Sequence, residues 1–260
     1  MNFRRIVAIV RRDFWIMKKV KFIAIRVFYL PIISILVWGF FANWSKGVGI
    51  EVALVLLAVN IFWQLAQQIQ AGANLQIMED RWTESYKQII LTPIKPLEYF
   101  IGKSIYAIIT SIASFIVIFL MGYFFFGLSV LSQQLPMFIL LSFLTIVASI
   151  GVSALVESLI LVLGNEYSFL AWSATSLVIL LSAPFFPMTT FPSLIQIISA
   201  VMPYTWVFES VRNITTTGHL EMVLLGKTVL ISFLYLLTTF IFYNKMFEKA
   251  RKDGKLAKMW

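Results

Sequence analysis

The 260-residue chain has no cysteine, one histidine and few charges, with only 13% of residues charged. Without cysteine there can be no disulfide, thiol nucleophile, iron–sulfur cluster or cysteine-bound zinc. A single imidazole, His219, cannot build a histidine-rich metal centre and reads as an exposed loop residue. No carboxylate–histidine chain or nucleophile–base pair stands in the sequence, so no catalytic residue and no metal ligand is expected. A complete phosphate-binding loop is also missing. Gly102-Lys103-Ser104 and Gly226-Lys227-Thr228 look like fragments of one, but Leu97 and Glu221 stand where the earlier glycine is needed. Backbone N–H groups cannot cradle phosphates without that glycine-rich loop, so the chain is not expected to bind a nucleotide itself.

What is present is apolar surface. Hydrophobic residues make up 60% of the chain and its mean hydropathy is +0.89. A soluble domain could not hide that much, and apolar runs near ~20 residues match the thickness of a bilayer. An all-α integral membrane protein is expected, one domain over 1–260, with six spans at 22–42, 52–77, 104–126, 135–156, 168–186 and 223–243. The fourth has room to continue toward Leu163, with Gly164–Glu166 as a turn.

Orientation follows from lysine and arginine. Eight precede position 27, four lie in 78–103 and six in the tail from Lys245, which places 18 of the 21 on one side. Only Lys46, Arg212 and Lys227 fall on the other. The positive-inside rule then sets both termini and the 78–103 segment in the cytoplasm of a cell (plasma) membrane protein. These cations report topology before any nucleic acid, and no nucleic-acid partner is expected.

Within residues 1–21, basic pairs recur at 4/5, 11/12 and 18/19, nearly two helical turns apart. Phe3, Val7, Val10, Phe14 and Met17 follow a helical rhythm on roughly the opposite side. This reads as a helix lying in the inner membrane surface against lipid headgroups, or as a plain basic topology signal. In the second span Asn60, Gln64, Gln67 and Asn74 share a narrow sector. Such amides tie helices together, line a translocation path, or form a subunit seam where both hold. Four prolines between 184 and 203 interrupt continuous helix. The 187–222 stretch, with Pro187, Pro203, Tyr204, Glu209 and Arg212, reads as a re-entrant or outer helical hairpin before the last span, with Glu209 and Arg212 spaced to pair. A long external loop is the other reading.

The segment Met78–Pro96, "MEDRWTESYKQIILTPIKP", gathers Glu79, Asp80, Arg81, Glu84, Lys87 and Lys95 between two apolar stretches. Its part from Glu79 to Leu91 is compatible with one amphipathic helix, with Trp82, Tyr86 and Ile89 on one face; Thr92-Pro93 ends it and Pro96 starts the next. It is either a solvated elbow or a surface to be gripped. With the basic N-terminal helix and the proline-broken stretch 182–214, this segment resembles the membrane subunits of ABC-2-type transporters. The resemblance implies an exporter permease that dimerises, homo- or heteromeric, and couples through 78–103 to separate ABC ATPase subunits carrying the ATP and Mg. Glu79, Asp80, Trp82, Glu84 and Tyr86 would then serve the ATPase contact. An ion-gradient carrier, or a lipid- or glycan-modifying enzyme using Glu157 or Glu166, remains as an alternative.

Overall fold

A computed structural model describes residues 1–45, 50–127 and 134–254. Lys46, Lys255 and Lys258, counted above for topology, lie outside the described residues. Ten α-helices are described: α1 (Phe3–Lys19), α2 (Lys21–Ser45), α3 (Ile50–Trp82), α4 (Ser85–Ile90), α5 (Pro96–Phe126), α6 (Leu135–Leu163), α7 (Leu170–Leu181), α8 (Ser193–Val201), α9 (Thr205–Thr217) and α10 (Met222–Lys252). Among the described residues there is no strand. The protein is an all-helical integral membrane protein.

Five helices, α2, α3, α5, α6 and α10, are long and apolar enough to cross a bilayer. The sixth crossing is built differently from the expected 168–186 helix. α7 has 12 residues, about 18 Å of helix against a hydrocarbon core of about 30 Å. The chain direction still requires a crossing here. α6 ends near Leu161, which packs in one cluster with Phe247 at the end of α10, whereas α10 begins at the opposite end of the bundle. The return is completed by the non-helical Ser182–Pro187 stretch, where Pro184 and Pro187 deny further helix. α6 does continue to Leu163 and stops at Gly164, whose φ of 111° suits glycine.

Packing rests on small residues and on polar ties. A Cβ placed on Gly151 of α6 would lie 3.0 Å from the backbone of Tyr235 and Leu236 in α10, so glycine is what lets these two helices approach. Pro31 in α2 has no N–H for the carbonyl of Val27. Ser114 of α5 donates to that carbonyl at 2.7 Å, converting an orphaned backbone group into an interhelical bond.

The end of the bundle where α1 lies and α10 ends holds a second apolar cluster. Ile9 of α1, Tyr86 of α4, Tyr99 and Phe100 of α5, and Tyr243, Phe247 and Ala250 of α10 meet there. α1 docks on this basic end through Ile6, Ile9 and Asp13. Phe3 and Val7, expected on the apolar face, point outward, while Phe14 stacks edge-on against Tyr106. The helix therefore has an inward stripe containing a carboxylate in addition to the expected apolar and basic faces.

At the opposite end α8 and α9 form the hairpin, bent by 93° between Val201 and Thr205. Tyr204 at the bend is fully buried and its hydroxyl donates to Ser149 Oγ at 3.2 Å. Ser149 lies fourteen residues from either end of α6. The hairpin thus reaches the middle of the bundle and is not an external loop.

Candidate functional site

The charged segment does not form one helix. α3 runs on to Trp82, five residues past the expected end of the second span. The chain then turns at Thr83 and Glu84, with Glu84 at φ 59°. Thr83 Oγ donates to the carbonyl of Glu79 at 2.8 Å and satisfies the end of α3 from within. α4 follows as a six-residue elbow. Because of the break, Trp82 and Tyr86 no longer share a face. Trp82 is 59% exposed, Glu84 is exposed and Leu91 is 87% exposed, whereas Tyr86 is buried.

Asp80 faces inward and is the hub of a charge cluster. Its carboxylate accepts two hydrogen bonds from Arg12 of α1, at 2.8 and 2.9 Å, and one from the hydroxyl of Tyr99 at 2.7 Å. Lys103 Nζ of α5 lies 2.7 Å away. Lys103 also pairs at 2.9 Å with Asp13 of α1. Ser85, the first residue of the elbow, bonds both to the Asp80 backbone carbonyl and to Arg12. One carboxylate therefore joins the end of α3 to α1, α5 and the elbow. Desolvation raises the Asp13 pKa, with Lys103 partly offsetting it. Burial opposes the charge on Arg12, but its hydrogen bonds to Asp80 together with the negative charges of Asp80 and Asp13 outweigh this and raise its pKa. Burial also pushes the Tyr86 hydroxyl up to about 12.

Two more ties surround the hub. Arg26 of α2 bonds Glu79 at 2.7 Å across partly exposed surface. Arg81 forms an ion pair with Glu157 of α6 that is almost wholly shielded from solvent, with the Arg81 guanidinium over the ring of Tyr86. Glu98 caps its own helix by accepting from the Lys95 N–H at 3.0 Å, and accepts from the Asn2 N–H at 2.7 Å. The two phosphate-loop fragments acquire structural roles. Gly102 lets Ile9 approach, since a Cβ there would be 2.8 Å from Ile9 Cβ, and Lys103 is, with Arg12, one of the two cations on Asp80. At the other fragment Lys227 sits over the ring of Trp206, and Thr228 donates to the Trp206 carbonyl at 3.0 Å.

The amide stripe of α3 divides. Asn60 is buried against Ser34 of α2, Gln64 donates to the same Ser34 Oγ at 2.6 Å, and Asn74 accepts from Ser153 of α6 at 2.7 Å; all three tie helices. Gln64 and Gln67 line a cavity of about 450 Å³ between α2, α3 and α5. At the hairpin, Glu209 and Arg212 pair at 2.7 Å as their spacing suggested. Arg212 also donates to the carbonyls of Ala183, Pro184 and Phe186, and Glu209 accepts from the Met188 N–H beyond Pro187. Together they hold the non-helical stretch on the hairpin that Pro203 and Tyr204 turn.

Sequence inspection missed Arg12, Asp13, Arg26 and Lys103. The signals were present: an aspartate within an otherwise cationic arm, and a lysine directly after a glycine, two turns into α5 where the apolar run begins. Among the described residues no group of acidic or histidine side chains is placed to hold a metal ion.

Five membrane-length helices, a hairpin bent at mid-depth and a charge-locked elbow define an all-helical integral membrane protein. The family model for the ABC-2 type transporter matches residues 4–216, and the chain belongs to that family as a transporter permease subunit. Comparison with curated proteins returned no match.

Proposed function

We propose that this permease is driven by ATP hydrolysed on separate ABC ATPase subunits, which carry the nucleotide and Mg and dock on the elbow around α4. The basic end is cytoplasmic on this reading, since it gathers most of the chain's lysine and arginine. A second permease subunit completes the substrate path, with surrounding lipid on the outer helix faces.

One observation carries the reading. The chain on either side of α4 exposes Trp82, Glu84 and Leu91, while the neighbouring Asp80 and Arg81 are locked to α1, α5 and α6. A push on so short an elbow has no slack to absorb it and must displace the spans, which is what a two-state element biased from outside requires. Docking and transmission therefore fall to different residues. Trp82, Glu84 and Leu91 form the contact surface. Asp80 and Tyr86, with Glu79 beside them, transmit the displacement.

The test is co-purification from the native membrane, with nucleotide hydrolysis measured on the complex. The triple variant Trp82→Ala, Glu84→Ala, Leu91→Ala should lose bound ATPase at least tenfold. Asp80→Asn should keep the ATPase bound but lose substrate-stimulated hydrolysis. Normal ATPase yield from the triple variant would overturn the assignment.

A further inference from the structure

The cavity between α2, α3 and α5 has a composition that selects a ligand. Gln64, Gln67, Gln68, Gln76, Tyr106 and Ser111 supply its polar wall, and Leu30, Pro31 and Leu75 part of its apolar wall. Its one charged residue, Arg26, is neutralised by Glu79 at 2.7 Å. The polar wall is therefore uncharged but has unused bonding capacity. Gln76 is 9% exposed and its Oε1 has no hydrogen-bond partner among the described residues. A buried amide oxygen left unpaired costs about 1–3 kcal/mol, so a donor arriving there is favoured. Gln67 receives the Trp63 indole N–H through Oε1, and no hydrogen bond among the described residues uses its Nε2. The wall thus offers both donors and acceptors, which matches hydroxyl groups, since each hydroxyl both donates and accepts.

Position narrows the ligand further. Gln64 and Gln76 are twelve residues apart on α3, about 18 Å along the helix, so the cavity runs from the basic end to roughly half depth. Leu30 lines it and is 61% exposed on α2, so the cavity opens sideways on a bilayer-facing helix. At its basic end Ile23, Gln76 and Tyr106 also line a second cavity, of about 340 Å³, beneath Arg12, Asp13, Asp80 and Lys103. A volume of 450 Å³ falls within the range of small-molecule sites.

We propose that this cavity is a lipid-binding site for an amphiphile with an uncharged, hydroxyl-rich head, a neutral glycolipid in chemical class. Its head would bond Gln67, Gln68 and Gln76, and its chain would leave past Leu30. A phosphate head is disfavoured, because the only cation in the wall is already paired. The site belongs to this chain alone and does not depend on the ATPase assignment.

The test places the full chain in phosphatidylcholine nanodiscs with one of three photoreactive lipids of identical acyl chains. These are glucosyl diacylglycerol, phosphatidylglycerol and headless diacylglycerol, with adducts mapped by mass spectrometry. The glucosyl probe should label peptides of α2, α3 and α5 at least fivefold above the other two. Gln67→Leu with Gln76→Leu should reduce this to the headless level while labelling of the exposed α10 residues Leu230 and Leu237 is unchanged. If the double variant does not fold, Gln68→Ala, a partly buried residue outside the helix ties, should lower the glucosyl signal at least twofold. Equal labelling by the three probes, or undiminished glucosyl labelling in the folded variant used, would overturn the proposal. No ATPase is present, so failure here is separate from failure of the coupling test.

Discussion

Replacing Asp80 with asparagine keeps the side chain's size and removes its charge. Asp80 is 4% exposed and holds Arg12, Lys103 and Tyr99. Lys103, with a side chain only 2% exposed, would keep Asp13 as its single carboxylate. Arg12, more exposed, would rehydrate in part. Removing one member of a buried ion pair costs about 3–5 kcal/mol, and the surviving Asp13 puts this case near the lower end. Glu79→Gln is the control. It breaks the Arg26 pair, in which both side chains are about one-third exposed, and such pairs contribute roughly 0.2–1 kcal/mol after screening. The two variants should therefore differ by about 2 kcal/mol, close to thirtyfold in the unfolding constant. Reversible unfolding in mixed detergent micelles reads this difference. A double-mutant cycle with Arg12→Gln should return a coupling of about 1–3 kcal/mol. Asp80→Asn within 0.5 kcal/mol of Glu79→Gln would refute the reasoning, because it would mean that the hub carries no more than a surface pair.

Other outcomes follow from neighbouring contacts. Arg81→Met and Glu157→Leu should each destabilise by about 3–5 kcal/mol alone and much less together, since the double variant leaves no buried charge without a partner; the same unfolding assay measures it. Gly151→Val should prevent a monodisperse protein, because the added side chain meets the backbone of α10, whereas Gly226→Val, with open space at its Cβ, should purify normally. Ser153→Ala should cost roughly 0.6–1.7 kcal/mol by freeing Asn74, as measured for interhelical bonds in membranes. Ser114→Ala should cost a similar amount through the Val27 carbonyl that Pro31 leaves open.

Hydropathy and proline placement made most of the architecture legible in advance. Apolar length sets where a chain can cross a bilayer, and Pro184 to Pro203 could not sit in one uninterrupted helix. The crossing at 168–186 came out shorter because hydropathy reports burial in lipid, not backbone conformation, and Pro184 and Pro187 break the helix before the apolar run ends. The elbow was legible as a charged break, but its internal division was not. Thr83 terminating α3 through its own hydroxyl is a local competition that periodicity does not register. The amide stripe looked uniform because all its members share one sector of α3. Which of them tie helices depends on Ser34 and Ser153, which come from other parts of the chain. The charge hub was hidden for the same reason: Asp13, Asp80 and Lys103 are distant in sequence and meet only after α1 folds onto α5.

The central claim is most directly tested by accessibility of the elbow, and a chain without native cysteine makes the measurement clean. Glu84→Cys and Leu91→Cys should react with a membrane-impermeant maleimide in inverted vesicles stripped of peripheral proteins, and adding back the ATPase should suppress that reaction. Labelling from the outside of intact cells, or labelling in inverted vesicles that bound ATPase does not reduce, would contradict the account.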